Sequence, residues 1–391
     1  AGNAVLFVDG YDRAIKIGSK GYPGSGVQKT DSEKGLRGSK EAFSESVKMN
    51  TALIRKRIRN AKMKAEEKQV GRYSATTTAL LYLDGVVYLP ICEEMRKRLN
   101  AFEVDGIEDG GMIEYLTRKK KEGRFPVYQT TERPDRAAQA ILEGRVVLLT
   151  DNSPEALIFP ATLNSLFQTA DDYYRNERIV TFLRLIRYVA AFLALALPGL
   201  YVAAATFHPQ LLPGNLIRSM AEARSGVPFP TAAEVLLMEL SFELLREAGL
   251  RMPGPAGNTI GIVGGLIVGQ AAVSANLVSP ITVTVAALTA LGSFSIPNEE
   301  LSEVFRLWKY GILLLGSCFG ILGVMLGCFL LLMLMAEQES YGIPWLYPYV
   351  GGNLNERADE KDSMFLAAAR KRKRRPIFAK WGNRIRFRRK S

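Results

Sequence analysis

Hydrophobic and polar residues divide this chain of 391 residues into three zones. Up to about residue 184, charged residues are dense and apolar runs are short, as in a soluble domain. Apolar residues dominate from 185 to 336, and the chain then becomes polar and finally basic. The pattern predicts an α/β soluble domain, an all-α membrane domain that spans the bilayer several times, and a basic tail over 337–391.

The first zone alternates short apolar strands with amphipathic helices. Turn residues bound apolar runs that predict strands at 4–8, 13–17 and 75–87. Apolar positions at helical spacing predict helices over 39–59, 91–102, 111–121 and 135–143. This alternation is typical of an α/β domain.

A short internal repeat lies within this zone. The segment 147–157 aligns without gaps on the segment 5–15, and both resemble a hairpin with a polar turn. We therefore expect two related cytoplasmic subdomains, 1–60 and 61–180, in which the two hairpins are equivalent strand pairs. A full α/β unit precedes only the second hairpin, so we expect the first subdomain to be truncated on its N-terminal side.

The apolar zone predicts four membrane spans. The first span has 23 residues, which at 1.5 Å per residue extend roughly 34 Å, enough to cross a bilayer. The fourth is apolar throughout. Together they cover residues 185–207, 257–276, 278–296 and 310–336.

Glycines recur at intervals of four in the second span. Gly261, Gly265 and Gly269 form two successive Gly-x-x-x-Gly pairs. Such spacing lets two helices approach closely, so we expect these residues to lie at a helix contact.

An amphipathic helix is predicted over 231–249, between the first two spans. At 100° per residue, Glu239, Glu243 and Glu247 share one face, and apolar residues cover the opposite face. This acidic face needs water, a partner or the lumen of an assembly. Three interpretations stay open: a helix at the membrane surface, an acidic lining of an ion path, and packing against another subunit.

The distribution of cations predicts the orientation in the membrane. Four spans place both termini on one side, and the cations at 178, 184 and 187 and in the tail assign that side to the cytoplasm. A crossing by the acidic helix would move the tail outside, against this bias. We therefore expect helix 231–249 to lie flat or to re-enter.

The net charge of +12 comes from one end of the chain. Residues 370–391 contain twelve Lys and Arg and no Asp or Glu, which equals the whole net charge. Nucleic-acid binding is not supported, because it requires basic residues across a folded face. We expect the tail to contact anionic lipid through Arg370, Lys371, Arg372, Lys373, Arg374 and Arg375.

The composition does not favour an enzyme. The chain has three cysteines without a Cys-x-x-Cys pair, and His208 is its one histidine. These residues suggest neither a disulfide framework, a zinc site nor a catalytic triad. We expect no catalytic, cofactor or metal site.

Several long runs in the same order resemble one protein family. They lie at 131–135, 142–146, 197–202, 206–209, 226–230, 237–249, 260–265 and 269–273. Over nearly its whole length the chain resembles the A subunit of GerA-type spore germinant receptors. The Ala- and Arg-rich stretch 365–375 departs from the family pattern. It leaves open a related subtype, an accessory protein of dipicolinic acid release.

The resemblance implies a multi-pass protein of the endospore inner membrane that works with a transporter-like B subunit and a lipoprotein C subunit. It also implies a homo-oligomeric ring, such as a pentamer, that acts as a germinant-gated cation channel. The alternative is a non-conducting scaffold that relays a signal by changes in packing. A separate secondary transporter is disfavoured, because no inverted repeat of helices is visible.

A peptide of residues 370–390 should bind anionic vesicles more tightly than neutral ones. Each cation near an anionic surface contributes about 1 kcal/mol at low salt, and added salt should weaken the binding. Co-sedimentation with phosphatidylcholine vesicles, with and without phosphatidylglycerol, measures this difference. A peptide with Gln at positions 370–375 is the control. Equal binding of the wild-type peptide to both vesicles would contradict the expectation.

Overall fold

The chain forms two units in a computed structural model. The structure describes residues 4–6, 9–10, 15–17, 33, 35, 37–119, 122–251, 255–350, 361–368, 370–380, 382 and 385. The α/β unit consists of Ala1–Phe182 and Ala336–Ser391, and the helical unit consists of Leu183–Met335.

A five-stranded antiparallel sheet is the centre of the α/β unit. Its strands are β3 (Met63–Val70), β4 (Thr76–Leu83), β5 (Gln129–Thr131), β6 (Val146–Thr150) and β7 (Ala156–Phe159). They are arranged in the order β3-β4-β6-β7-β5. Strands β6 and β7 are buried along their whole length, as their continuous apolar sequences predict. The charged strand β3 forms one edge, where charge opposes pairing with another sheet.

Helices cover both faces of this sheet. They are α1 (Val47–Arg57), α2 (Leu89–Leu99), α3 (Gly110–Thr117), α4 (Pro134–Glu143) and α5 (Leu163–Phe167). Successive strand residues point to opposite faces. Leu149 therefore packs with α1 and α4, whereas Leu148 packs with α2 and α3. The α/β character of the first zone is confirmed.

Both copies of the internal repeat form antiparallel strand pairs. Leu6 in β1 (Ala4–Leu6) lies opposite Ile15 in β2 (Ile15–Ile17). The corresponding pair 142 positions later is Leu148 opposite Leu157, so the two registers agree. Gly10 and Asn152, also 142 positions apart, both have positive φ, at 88° and 66°. The expectation of equivalent strand pairs is confirmed, and two related subdomains stay a prediction.

The chain returns to the α/β unit after its last long helix. Strands β8 (Glu339–Ser340) and β9 (Ile343–Pro344) pair with each other. Trp345 is fully buried, and its indole N–H donates to the Pro126 carbonyl at 2.7 Å. The described part of the predicted tail therefore belongs to the folded α/β unit.

A second part of this C-terminal segment lies against the loop after α4. Gly144 has φ +95°, and a Cβ there would be 2.8 Å from the Cα of Ala379. Glycine meets both constraints, since it accepts positive φ and has no Cβ. Ala379 also forms a bridge with Val87 next to the sheet.

Six helices account for most of the second zone. They are α6 (Glu177–Thr206), α7 (Gly214–Arg224), α8 (Thr231–Arg251), α9 (Pro255–Ser274), α10 (Pro280–Phe294) and α11 (Glu299–Glu337). Among the residues described, α6 and α11 are long and apolar enough to cross a membrane, by length and composition. The other two predicted spans coincide with α9 and α10.

Helix α11 reverses direction at Gly320, whose φ of 62° and ψ of −143° are not helical. In a straight helix, Ile312 and Gly327 would be about 22 Å apart along the axis. A Cβ on Gly327 would instead lie 3.5 Å from the Cα of Ile312. The segments 299–319 and 321–337 therefore run antiparallel. The single continuous span predicted over 310–336 is wrong in this respect, because apolar composition does not show a reversal.

Small residues allow this close packing. A Cβ on Gly316 would lie 2.9 Å from the Gly199 carbonyl oxygen of α6 and 2.9 Å from a methyl of Val324. Three helix segments thus meet where side chains are absent, as in tightly packed membrane helices.

An ion-pair cluster joins the segment before α1 to the end of that helix. The Glu41 carboxylate accepts hydrogen bonds from Lys56 and Arg57, each at 2.7 Å. The hydrogen bond from Lys56, aided by Arg57, outweighs burial and lowers the pKa of Glu41 below its ordinary value of 4.5. Such a carboxylate stabilises the fold above pH 4.5, and this contribution is lost as the pH falls through the lowered pKa.

The variant E41Q should therefore destabilise the α/β unit at neutral pH, by about 1 kcal/mol, with a smaller effect in acid. Urea unfolding of the full chain in detergent, followed at several pH values between about 7 and 3, measures the difference from wild type. E45Q removes an exposed carboxylate nearby and is the control. A difference that stays constant with pH would contradict the assignment.

Candidate functional site

Buried charges in the helical unit mark its candidate functional site. Glu234 and Glu239 of α8 are 0% and 1% exposed, and Lys309 of α11 is 4% exposed. Charged side chains are rarely buried to this extent unless they are paired, and among apolar helices they mark functional positions.

Two carboxylates of α8 face two cations of α11. The Lys309 ammonium lies 2.6 Å from Glu239 Oε2 and 3.4 Å from Glu243 Oε1. Arg306 Nη1 donates to Glu243 Oε2 at 2.8 Å. Residues three or four apart share one face of a helix, so both pairs form at once. We call these four residues the ion-pair network.

One oxygen of the network accepts no hydrogen bond from the part of the chain that the structure describes. Glu239 Oε1 is buried and accepts no hydrogen bond from the described residues, because the nearby Thr289 hydroxyl donates to the Val285 carbonyl at 2.9 Å. A buried ion pair is stable when its remaining lone pairs are also satisfied. In the Glu239 carboxylate, Oε2 is therefore paired with the Lys309 ammonium, whereas Oε1 has no hydrogen bond from the described residues.

Glu234 forms a separate buried cluster near the start of α8. Its Oε1 accepts from Arg224 Nε at 3.1 Å. Its Oε2 accepts from the Ser279 backbone N–H and the Thr282 hydroxyl, each at 3.0 Å. Ser279 is the N-cap of α10, and a helix N-terminus favours a negative charge. The carboxylate thus joins α7, α8 and α10.

Helix α8 runs alongside its neighbours within the unit. Near its start, Val235 packs with Val202 of α6 and Leu313 of α11. Near its end, the Arg246 guanidinium lies 5.3 Å from the Phe294 ring centre and 3.2 Å from the Glu299 carboxylate. The helix therefore contacts α10 and α11 over most of its length.

The structure does not bring the three predicted carboxylates together. Glu239 and Glu243 share Lys309, whereas Glu247 is exposed and pairs with Arg251 of its own helix at 2.6 Å. Within one chain, the acidic face is thus largely neutralised. An ion path along Glu239, Glu243 and Glu247 stays a prediction.

Two of the predicted packing glycines lie at helix contacts. A Cβ on Gly265 would be 3.5 Å from the Phe242 ring, and one on Gly269 would be 3.2 Å from a methyl of Val283. The surroundings of Gly261 lie outside the described residues. The contacts at Gly265 and Gly269 fit the expected role in packing.

Several of the six predicted lipid-contacting cations are engaged within the α/β unit. Arg372 Nη1 donates to Asp362 at 3.1 Å, and Arg375 Nε donates to the Leu142 carbonyl at 2.9 Å. Arg374 forms a bridge with Ile385. Four of the six side chains are exposed: Arg370, Lys371, Lys373 and Arg374. Lipid contact stays a prediction for them.

Sequence reasoning missed Glu234, Arg306 and Lys309 as site residues. Lys309 directly precedes the apolar run 310–336, so it resembles an ordinary flanking cation. The available signal is that Lys309 lies three residues after Arg306. Residues three or four apart share one face of a helix, so these two cations can meet two carboxylates that lie four apart on a facing helix. The pattern does not tell which helix faces α11.

The comparisons with known proteins decide the family. The chain matches the model of the Bacillus/Clostridium GerA spore germination protein family over residues 1–378. The chain belongs to this family. The resemblance found in its sequence is therefore confirmed.

The relatives carry names from spore germination and membrane biology. The chain is 38% identical to the uncharacterized membrane protein YfkQ of Bacillus subtilis (strain 168), over 94% of this chain and 71% of that protein. It is 36% identical to spore germination protein KA of the same strain, over 89% of this chain and 64% of that protein. It is 37% identical to spore germination protein A1 of that strain, over 89% of this chain and 72% of that protein.

One solved structure is also similar in sequence. The N-terminal domain of the A subunit of the Bacillus megaterium spore germinant receptor GerK3 is 30% identical, with a TM-score of 0.29. The match covers 41% of this chain and 56% of that chain.

Among the residues that the structure describes, no group of three or more His, Cys, Asp or Glu side chains could hold a metal ion.

Replacing Lys309 should destabilise the helical unit, because it leaves the Glu239 carboxylate buried without its cation. Breaking such a pair typically costs about 3–5 kcal/mol, whereas replacing both partners by apolar residues costs much less. We expect K309M to unfold far more readily in detergent, and E239L/K309M to recover most of the loss. R251M removes an exposed pair and is the control. A double variant as unstable as K309M would contradict this account.

Proposed function

We propose that this chain is the A-type membrane subunit of a nutrient germinant receptor in spore germination. The family match over residues 1–378 carries the proposal, and relatives named spore germination proteins support it. By family context, its partners are a transporter-like B subunit and a lipoprotein C subunit, in the inner membrane of the endospore. The accessory subtype of dipicolinic acid release is the alternative within the family.

Exposed apolar side chains support insertion of the helical unit into lipid. Phe192 of α6 and Leu314, Leu322 and Phe329 of α11 are 53%, 59%, 74% and 64% exposed. Large apolar surfaces of this kind are stable in contact with lipid or with another protein.

Contacts between helices support six passes through the helical unit rather than four. Tyr201 of α6 bonds Thr282 at 3.3 Å, whereas Ala190 lies beside Gly292, so α6 and α10 are antiparallel. Glu234 also contacts Thr282, and Arg246 lies 5.3 Å from the Phe294 ring centre, so α8 and α10 run in the same direction. A pass of α8 through the membrane adds one to the four predicted passes, and the reversal of α11 at Gly320 adds another. The number stays even, and both termini stay on the cytoplasmic side.

The assembly of the α/β unit supports the same orientation. Residues on both flanks of the helical unit complete it, since Trp345 bonds Pro126 and Ala379 pairs with Val87. Segments that fold together must lie on one side of a membrane. This argument agrees with the even number of passes and with the positive-inside bias.

The receptor would conduct cations as a homo-oligomeric ring. Carboxylates repeated around an axis attract cations and repel anions. Within one chain, Lys309 and Arg306 already neutralise Glu239 and Glu243, and Glu247 is exposed. Glu247 would face the lumen together with its exposed partner Arg251, whereas the other two would have to exchange partners on opening. The same pairing favours the second candidate, a scaffold that relays a signal without conducting ions.

Reversal potentials of the purified full chain in liposomes, under a salt gradient, distinguish the two candidates. The channel proposal expects cation preference in the wild type and a clear loss in E239Q/E243Q/E247Q. Because that variant leaves the buried Lys309 unpaired, E239Q/K309M tests the buried position with both partners replaced. E247Q tests the exposed position, where only the exposed Arg251 loses its partner. E222Q removes an exposed carboxylate of α7 and is the control.

Membrane insertion and assembly are measured in parallel by flotation and native mass determination. An unchanged cation preference in the triple variant would exclude this face as the path. Wild-type protein that inserts and assembles but carries no current would favour the scaffold. Germination of spores that produce each variant then tests the receptor role itself.

A further inference from the structure

A cavity of about 50 Å³ lies within the α/β unit, between the region around β6 and α5 and the C-terminal segment. Its charged lining residues are Arg145, Arg372, Arg374, Glu143 and Asp362. Three cations thus face two carboxylates, which leaves a net positive charge. A cavity of this size holds a group of a few non-hydrogen atoms, since one water needs about 10–15 Å³.

Arg145 is the most buried charge in the cavity wall, at 5% exposure. Its Nε donates to the Pro160 carbonyl at 2.9 Å, and its Nη1 donates to Gln129 Oε1 at 3.0 Å. Its Nη2 is buried, and the described residues provide no acceptor for it. Burial lowers the pKa of Arg145 to about 10, so the group remains charged at neutral pH.

Arg372 presents a second donor of the same kind. Its Nη1 bonds the Asp362 carboxylate at 3.1 Å, whereas its buried Nε has no acceptor among the residues described. Leaving a buried N–H of a charged group without an acceptor is costly. Two guanidinium groups with such donors in one cavity point to a missing acceptor.

The part of the cavity wall around Asp362 is held in place by hydrogen bonds. The Asp362 carbonyl accepts from Asn164 Nδ2 and Gln168 Nε2, each at 2.8 Å. Tyr173 also donates to the Asp362 carboxylate, at 3.2 Å. Asp362 is therefore occupied as an acceptor for neighbouring side chains, and these hydrogen bonds fix its position in the cavity wall.

We propose that this cavity binds a small free oxyanion, of the size of phosphate or a short carboxylate, through Arg145 Nη2 and Arg372 Nε. Guanidinium groups suit this task, because their planar donors match the oxygens of phosphate and carboxylate groups. Exposed Arg374 adds positive charge at the rim. All residues that line the site belong to the α/β unit, so binding can be measured without measuring ion conduction.

Calorimetric titration of the full chain in neutral-lipid nanodiscs tests the proposal, with orthophosphate, acetate and chloride at constant ionic strength. Saturable binding of orthophosphate or acetate, but not of chloride, is expected. R145Q should abolish it, and R374Q should weaken it by about threefold to tenfold. K373Q replaces an exposed cation next to Arg374 that does not line the cavity, and should leave the affinity unchanged.

R145Q also removes two internal hydrogen bonds, so its fold is checked by circular dichroism, and R374Q keeps the test valid if R145Q unfolds. The proposal is overturned if neither oxyanion binds saturably, or if K373Q weakens binding as much as R374Q. A parallel titration uses nanodiscs with phosphatidylglycerol. Arg374-dependent contact with that lipid, without binding of either free oxyanion, would identify a lipid headgroup and also overturn the proposal.

Discussion

The pairing of Glu239 with Lys309 is the interaction on which the helical unit depends. Both side chains are almost completely buried, so each requires the other. The contact holds α8 against the first half of α11. The second pair, Arg306 with Glu243, fixes which faces of the two helices meet. Because an unpaired charge is costly in this environment, the network defines one arrangement of the two helices. It also provides the place where an exchange of partners would change that arrangement.

A second constraint acts on the α/β unit, which is completed by residues from both flanks of the helical unit. Its core includes Leu148 and Phe159 of the sheet together with Tyr341 and Phe378 from the C-terminal segment. Removal of that segment would expose apolar surface on the α2 face of the sheet. The same segment supplies one wall of the cavity at Arg145, so core packing and the proposed anion site depend on the same return of the chain.

Local patterns predicted several elements well and others poorly. Helix α4 and strands β6 and β7 have clear signals, since apolar residues follow the helical period in one and are continuous in the others. Strand β3 was missed, because four of its eight residues are charged and its strand character comes from pairing with β4. The reversal at Gly320 was also missed, since α11 contains other glycines and only one of them has a non-helical conformation.

The sequence by itself determined the zones and the presence of an acidic face on α8, because these follow from composition and from periodicity along one chain. Its ordered runs of residues carried the family resemblance. Tertiary structure decided which cations meet that face, where α11 turns back, and that Arg372 and Arg375 serve the α/β unit. These features depend on contacts between residues far apart in sequence. The sequence of α8 predicts an acidic surface, but the structure has a buried ion pair at Glu239. Its partner Lys309 lies 70 positions away along the chain, yet the Lys309 ammonium is 2.6 Å from the Glu239 carboxylate in the fold.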